Sequence, residues 1–150
     1  WTLIGGEPPG GSNGLPRVEA KHPDVDVKGS QGSKKVDLIA YRSGYILLLE
    51  LKSTFDRGDV RKLDEMVGEQ RWRRSLLQAC EERNALSRAG VTDQGLPQRI
   101  LSGEALVKGI GVGRSHTVPS EYVLVVAHSP RKFTVELGAD CPMDESYFEE

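Results

Sequence analysis

A chain of 150 residues with 37% hydrophobic and 28% charged side chains is long enough to bury one core and too apolar to stay disordered. Its net charge of −2 neither requires nor forbids a polyanionic partner, because Glu136, Asp140, Asp144, Glu145, Glu149 and Glu150 crowd into an acidic stretch at residues 136–150 that has no Lys or Arg, leaving the remainder net positive. No apolar run approaches the roughly 18 residues of a membrane span, and Cys80 and Cys141 stand too far apart for a disulfide framework or a CxxC zinc site. A reducing setting, cytoplasmic or nucleoid-associated and not secreted, is the expectation. The chain opens on Trp1 rather than Met, as expected of a processed product or of a piece of a longer protein.

Residues 1–16, rich in Gly and Pro, read as a loop or linker ahead of a single domain over 17–150. Arg17–Gly29 has room for one or two short strands, and the polar run after it reads as a loop. Val36–Arg42 and Tyr45–Lys52 are apolar, β-favouring runs separated by Ser43-Gly44, the signature of a tight hairpin. Asp56 or Asp59 suits the N-cap of a following helix. The spacing of Leu63, Met66, Val67, Leu76, Leu77 and Cys80 predicts that this helix runs to about Arg88, with Gly68 a candidate break and Gly90 a stop. Residues 91–104 read as loop plus a helical turn. "EALVKGIGV", "EYVLVVAH" and "KFTVEL" are three more strands. Strands, a long helix and strands again predict an α/β domain with a sheet flanked by helices.

The hairpin poses a chemical question. A loop centred on Ser43-Gly44 sets Tyr41 opposite Ile46, Ile39 opposite Leu48, and Asp37 opposite Glu50, with Cβ atoms of opposed residues about 5 Å apart on one face. Alternation puts Lys52 on that face too. Leu47, Leu49 and Leu51 fill the other face, as expected of a central strand covered on both sides. Two carboxylates this close repel, and a divalent cation between them removes the repulsion. Hard oxygen ligands suit Mg²⁺, with Mn²⁺ as a substitute. Such a metal binds a phosphate oxygen and acidifies water, and Lys52 is placed to orient that water or to neutralise charge on phosphorus. The chemistry this constellation suits is phosphodiester hydrolysis. The plain alternative is an exposed Glu50–Lys52 ion pair at a strand end, worth less than about 1 kcal/mol.

Asp37, Glu50 and Lys52, in the pattern D…E-L-K on a hairpin followed by a helix, resemble the motif of the PD-(D/E)xK nucleases, over about Val36 to Arg88. The resemblance implies a restriction-endonuclease-like αβββαβ core with a central mixed sheet, Mg²⁺-dependent hydrolysis of DNA, and Asp37 and Glu50 as metal ligands. The expected partner is DNA, duplex or branched, with a homodimer and further domains of a longer chain as additional candidates. The chain departs from the family pattern in two ways. Residues 1–16 are too Gly/Pro-rich for the first helix, which leaves Glu19 as the nearest stand-in for that helix's metal-holding glutamate. Val36 also precedes Asp37 where proline is common. A literal Pro-Asp occurs at Pro23-Asp24, so Asp24 or Asp26 is the alternative first acid. The alternative function is a catalytically inactive nuclease-fold module for nucleic-acid binding or assembly.

Gln70 lies on the helical stripe of Leu63, Val67, Arg74 and Leu77, and the resemblance implies a glutamine near the metal; a satisfied core amide is the other reading. Arg71, Arg73 and Arg74 suit either phosphate contacts or helix ion pairs with Glu69, Glu81 and Glu82. Lys34 and Lys35, just before the hairpin, suit the nucleic-acid backbone. "KGIGVGRS" lacks the helix a dinucleotide fingerprint needs and reads as a glycine-rich strand. His22, His116 and His128 form no spaced ligand set.

Overall fold

The computed structural model describes residues 1–24 and 32–149. The strands are β1 (Thr2–Gly5), β2 (Glu19–Ala20), β3 (Lys34–Lys35), β4 (Leu38–Arg42), β5 (Tyr45–Lys52), β6 (Leu106–Val112), β7 (Tyr122–Ser129) and β8 (Lys132–Leu137). The helices are α1 (Arg57–Gly68), α2 (Gln70–Glu82), α3 (Ala85–Arg88) and α4 (Leu96–Ser102). The fold is α/β. A six-stranded mixed sheet runs β1-β4-β5-β6-β7-β8, and β2 and β3 form a separate two-stranded sheet. β5–β6 and β6–β7 pair in parallel and the other pairs are antiparallel.

The β4–β5 hairpin has the expected register, with Tyr41 opposite Ile46 and Ile39 opposite Leu48. Its loop is Ser43 and Gly44, at φ 47° and 90°, the left-handed pair that matches the twist of two adjacent strands. β5 is an interior strand whose Ile46 and Leu48 are buried under the helices. Burying a side chain of this size contributes about 1.5–3 kcal/mol. On the opposite face Leu47 is buried with Val107, Val123 and Met143, whereas Leu49 and Leu51 are only half covered. Cover on that face is therefore complete at one end of the strand only. The expected glycine-rich strand is β6. A Cβ on Gly109 would meet Leu47 and Leu49 Cδ1 at 2.9 Å, and one on Gly111 would meet Leu51 Cδ2 at 2.6 Å. The leucines of β5 lean across β6 because β6 carries no side chains there.

Four sequence expectations need correction. The loop reading of residues 1–16 holds only from Gly6 onward. Thr2–Gly5 is an edge strand on β4, with Ile4 1% exposed; four residues are too few for alternation to stand out beside a glycine-rich neighbour. The polar run before the hairpin contains β3, held by pairing with β2. The long helix does not run unbroken to Arg88 but breaks at the candidate position: α1 ends at Gly68, Glu69 is extended at φ −107° and ψ 123°, and α2 starts anew, so each segment buries its own stripe. Asn84, left-handed at φ 50°, then separates α3 from α2. Finally, residues 136–149 are not a free acidic tail. They complete β8 and then cross the second face, where Trp1 stacks on Phe148, Tyr45 meets Tyr147 edge-on, and Arg42 donates to Glu149 O at 3.0 Å.

Candidate functional site

Asp37, Glu50 and Lys52 share the helix-covered face of the sheet. The β4–β5 ladder closes at Leu38 opposite Leu49, and Asp37 lies one residue beyond its last pair, close enough for its charge to act on Glu50. Asp37 Oδ2 accepts a hydrogen bond from Leu51 N at 2.7 Å, which fixes the carboxylate against the hairpin's open end. Glu50 is 3% exposed. Its Oε2 is 2.7 Å from Lys62 Nζ, while its Oε1 is buried without a hydrogen-bond partner. Burial raises the Glu50 pKa above the usual carboxylate range. Lys62 opposes this, and the charges of Asp37 and Asp59 add to it.

Helix α1 supplies the rest of the cluster. Asp56 is the N-cap, accepting from Gly58 N at 2.7 Å, and an oxygen at this position satisfies an otherwise free helix donor. Asp59, Leu63 and Met66 then form one buried stripe. Asp59 faces the sheet with a buried Oδ2 that has no hydrogen-bond partner, and burial raises its pKa. Lys52 Nζ lies 3.8 Å from that oxygen and 3.7 Å from Asp56, so the lysine spans the mouth of the cluster with its side chain about half exposed. Lys62 reaches in from the next turn and also donates to Lys35 O at 2.9 Å. Asp59 and Lys62 are the members that hairpin register alone did not assign. Their spacing relative to Leu63 and Met66 was the available signal.

Among the described residues, no group of three or more His, Cys, Asp or Glu is arranged to hold a metal ion. The donor set is two facing carboxylates, with one buried oxygen lacking a donor. That set fits a hard cation such as Mg²⁺, which keeps most of its waters and takes one or two protein carboxylates. Lys62 is the competing cation for Glu50.

The other expected residues lie elsewhere or are already engaged. Glu19 sits in the small sheet opposite Lys35 and accepts from the Ser33 hydroxyl. Gln70 is exposed at the first position of α2, because the break at Glu69 resets the phase of the stripe that seemed to carry it inward. Lys34 pairs with Glu65 at 2.8 Å and lies over the Trp72 ring, and Lys35 pairs with Glu7 at 3.2 Å. Arg71 pairs with Glu69 and with Asp24, which places Asp24 on the helix surface. Arg73 donates to Val67 O and Leu101 O, bracing the α1–α2 break against α4. Arg74 is exposed. Asp26 and Glu150 lie outside the described residues.

A second charged cluster lies deeper on the same face. Lys108 of β6 is 8% exposed and donates to Asp64 at 2.7 Å and Glu121 at 2.6 Å, while the Tyr122 hydroxyl donates to Asp64 at 2.8 Å. Burial pulls the Lys108 pKa down, but the two carboxylates outweigh it and hold the ammonium above its ordinary range. Cys80 is an inert core thiol, pushed up to about 12 by burial. No helix among the described residues is long and apolar enough to cross a membrane. No family model, curated protein or solved structure matches the chain.

Proposed function

We propose that this chain is a Mg²⁺-dependent deoxyribonuclease of the PD-(D/E)xK type, most simply an endonuclease, built on a restriction-endonuclease-like core. The carrying observation is Glu50: a buried carboxylate with one oxygen lacking any donor, set opposite Asp37 at the open end of an interior hairpin. Buried polar atoms are rarely left unpaired, because each costs roughly 1–3 kcal/mol. A carboxylate kept in that condition is accounted for by a ligand that completes it. The order of a hairpin, helices and then a strand parallel to β5 supports the core assignment. In place of the family's first helix, the described residues have a loop and β1.

Asp37 and Glu50 would hold the metal, which supplies Lewis acidity toward a phosphate oxygen and acidifies a water. Asp37 is held for this by Leu51 N. Lys62, which also donates to Lys35 O, neutralises Glu50 in the absence of a cation and would compete with one for that carboxylate. Lys52 carries positive charge at the exposed rim, where a phosphate arrives, and stabilises the negative charge that develops on its oxygens. Asp56 and Asp59 hold that ammonium at the mouth of the cluster.

The second reading is an inactive nuclease-fold module. It draws on the 2.7 Å Lys62–Glu50 pair, which fills the carboxylate's need for a cation without metal. Plasmid DNA incubated with the protein and Mg²⁺, against an EDTA control, separates the two. Metal-dependent cleavage supports the nuclease, whereas DNA binding with no cleavage under Mg²⁺ or Mn²⁺ supports the module.

A further inference from the structure

The loops at the rim of the cluster carry an aromatic pair, Phe55 and His116. Phe55, three residues after Lys52, lies flat against His116 with ring centroids 3.9 Å apart and planes 3° apart. Phe55 packs partly on the core, so it anchors the pair, while His116 is exposed. The imidazole is locked: its Nδ1 lies 2.8 Å from Thr117 O, and because a carbonyl only accepts, Nδ1 carries the hydrogen. The pair borders a cavity of about 530 Å³ that is also lined by Arg57 and Arg61 of α1. Both guanidinium groups are exposed, and neither has an ion-pair partner among the described residues. Lys34, Lys35 and Arg71 are by contrast tied to Glu65, Glu7, Asp24 and Glu69. Arg57 and Arg61 of α1 therefore carry exposed positive charge at this cavity that is not tied up in an ion pair among the described residues.

We propose that Phe55 and His116 form a stacking platform for one unpaired nucleobase, with Arg57 and Arg61 binding the flanking phosphates. This inference rests on the nuclease reading and narrows its substrate to nucleic acid with a splayed or single-stranded nucleotide beside the cleaved bond. Chemistry favours that ligand over others. A nucleotide offers a flat π-face and an adjacent anion, which match a rigid ring and paired guanidinium groups. A base kept within a duplex stack has no free face to offer. Because the platform is already ordered, binding does not have to immobilise its rings.

The test uses the full chain in a Glu50→Gln background, so that bound strands are not cut. The probe is a short single-stranded DNA with 2-aminopurine at a central position, compared with the same strand fully paired. Stacking on the platform quenches 2-aminopurine in the single strand. His116→Ala, a surface change, is expected to abolish that quench and weaken binding roughly 5- to 100-fold, the range for loss of one base–aromatic stack, with the salt dependence unchanged. Arg57→Ala and Arg61→Ala should each lower the salt slope by about 0.7 for a single strand. Equal affinity for paired and unpaired strands, or a His116→Ala protein that binds and quenches like its parent, overturns the platform. If the Glu50-intact protein cleaves DNA while His116→Ala binding is unchanged, the platform fails and the nuclease reading stands. If the platform behaves as expected but Glu50-intact protein never cleaves, the reverse holds. Failure to bind any nucleic acid overturns both.

Discussion

Replacing Glu50 by Gln should stabilise the metal-free protein and erase its response to Mg²⁺. The fold spends stability on this carboxylate: it is 3% exposed, one oxygen has no donor, and burial outweighs the Lys62 ion pair in raising its pKa. A carboxyl group with a raised folded pKa is favoured in its neutral form. Its ionisation therefore lowers stability as pH rises from the ordinary carboxylate range through the raised value, and the loss persists above it. The amide resembles the neutral form, so the gain of Glu50→Gln appears at neutral pH and vanishes below about pH 4. Its size should be on the order of 1 kcal/mol, the cost of one buried, unsatisfied oxygen. In the unaltered protein, a metal at 100 times its Kd adds about 2.7 kcal/mol. For a domain of this size that corresponds to a Tm increase of roughly 5–10 °C. The assay is thermal unfolding of both proteins in EDTA and across a Mg²⁺ and Mn²⁺ series, at neutral and acid pH. A wild type whose Tm ignores both metals, or a variant less stable than wild type in EDTA at neutral pH, would refute the reasoning.

Lys52→Ala should lower plasmid cleavage by about 10² or more with little loss of fold, and Mn²⁺ should not rescue it because Asp37 and Glu50 remain. Full activity in that variant would place the chemistry elsewhere. Lys108→Met should destabilise at pH 7 by on the order of 1 kcal/mol, discounted because Asp64 and Glu121 are half exposed or more. Lys108 has a raised folded pKa, so its contribution is present below the ordinary lysine value of about 10.4 and lost as pH climbs through the raised one; the gap between variant and wild type in urea unfolding should close there. A gap that widens above pH 10 would contradict this. Gly111→Ala should cost about 1–3 kcal/mol in the same assay, because its Cβ would sit 2.6 Å from Leu51 Cδ2. A neutral result would mean the leucine shifts without strain.

The hairpin and the facing of Asp37 and Glu50 were legible because a strand's period of two and a two-residue turn leave one register that buries Ile39, Ile46 and Leu48 together. The helix side of the cluster was not. Whether Asp59 and Lys62 face the sheet depends on how α1 rotates about its axis, which packing against β6 decides. Gln70 shows the same limit: an extended Glu69 between two helices undoes any stripe counted across it. The partners of Lys34, Lys35 and Arg71 were illegible for a different reason: Glu7, Glu65 and Asp24 are remote in sequence from the groups they pair with.

Gly6 ties the edge of the sheet to the candidate metal ligand. At φ 137° it lies so close to Asp37 that any Cβ would sit 2.3 Å from the Asp37 carbonyl oxygen, and the next residue's N–H bonds Val36 O at 3.3 Å. The N-terminal strand is thus a clasp on the backbone that aims the first acid. An edge strand is also the part of a sheet most easily exchanged for another chain. Whatever peels β1 from β4 loosens the backbone at Asp37 directly, so under the proposed function occupancy of that edge would also change the affinity for the cation.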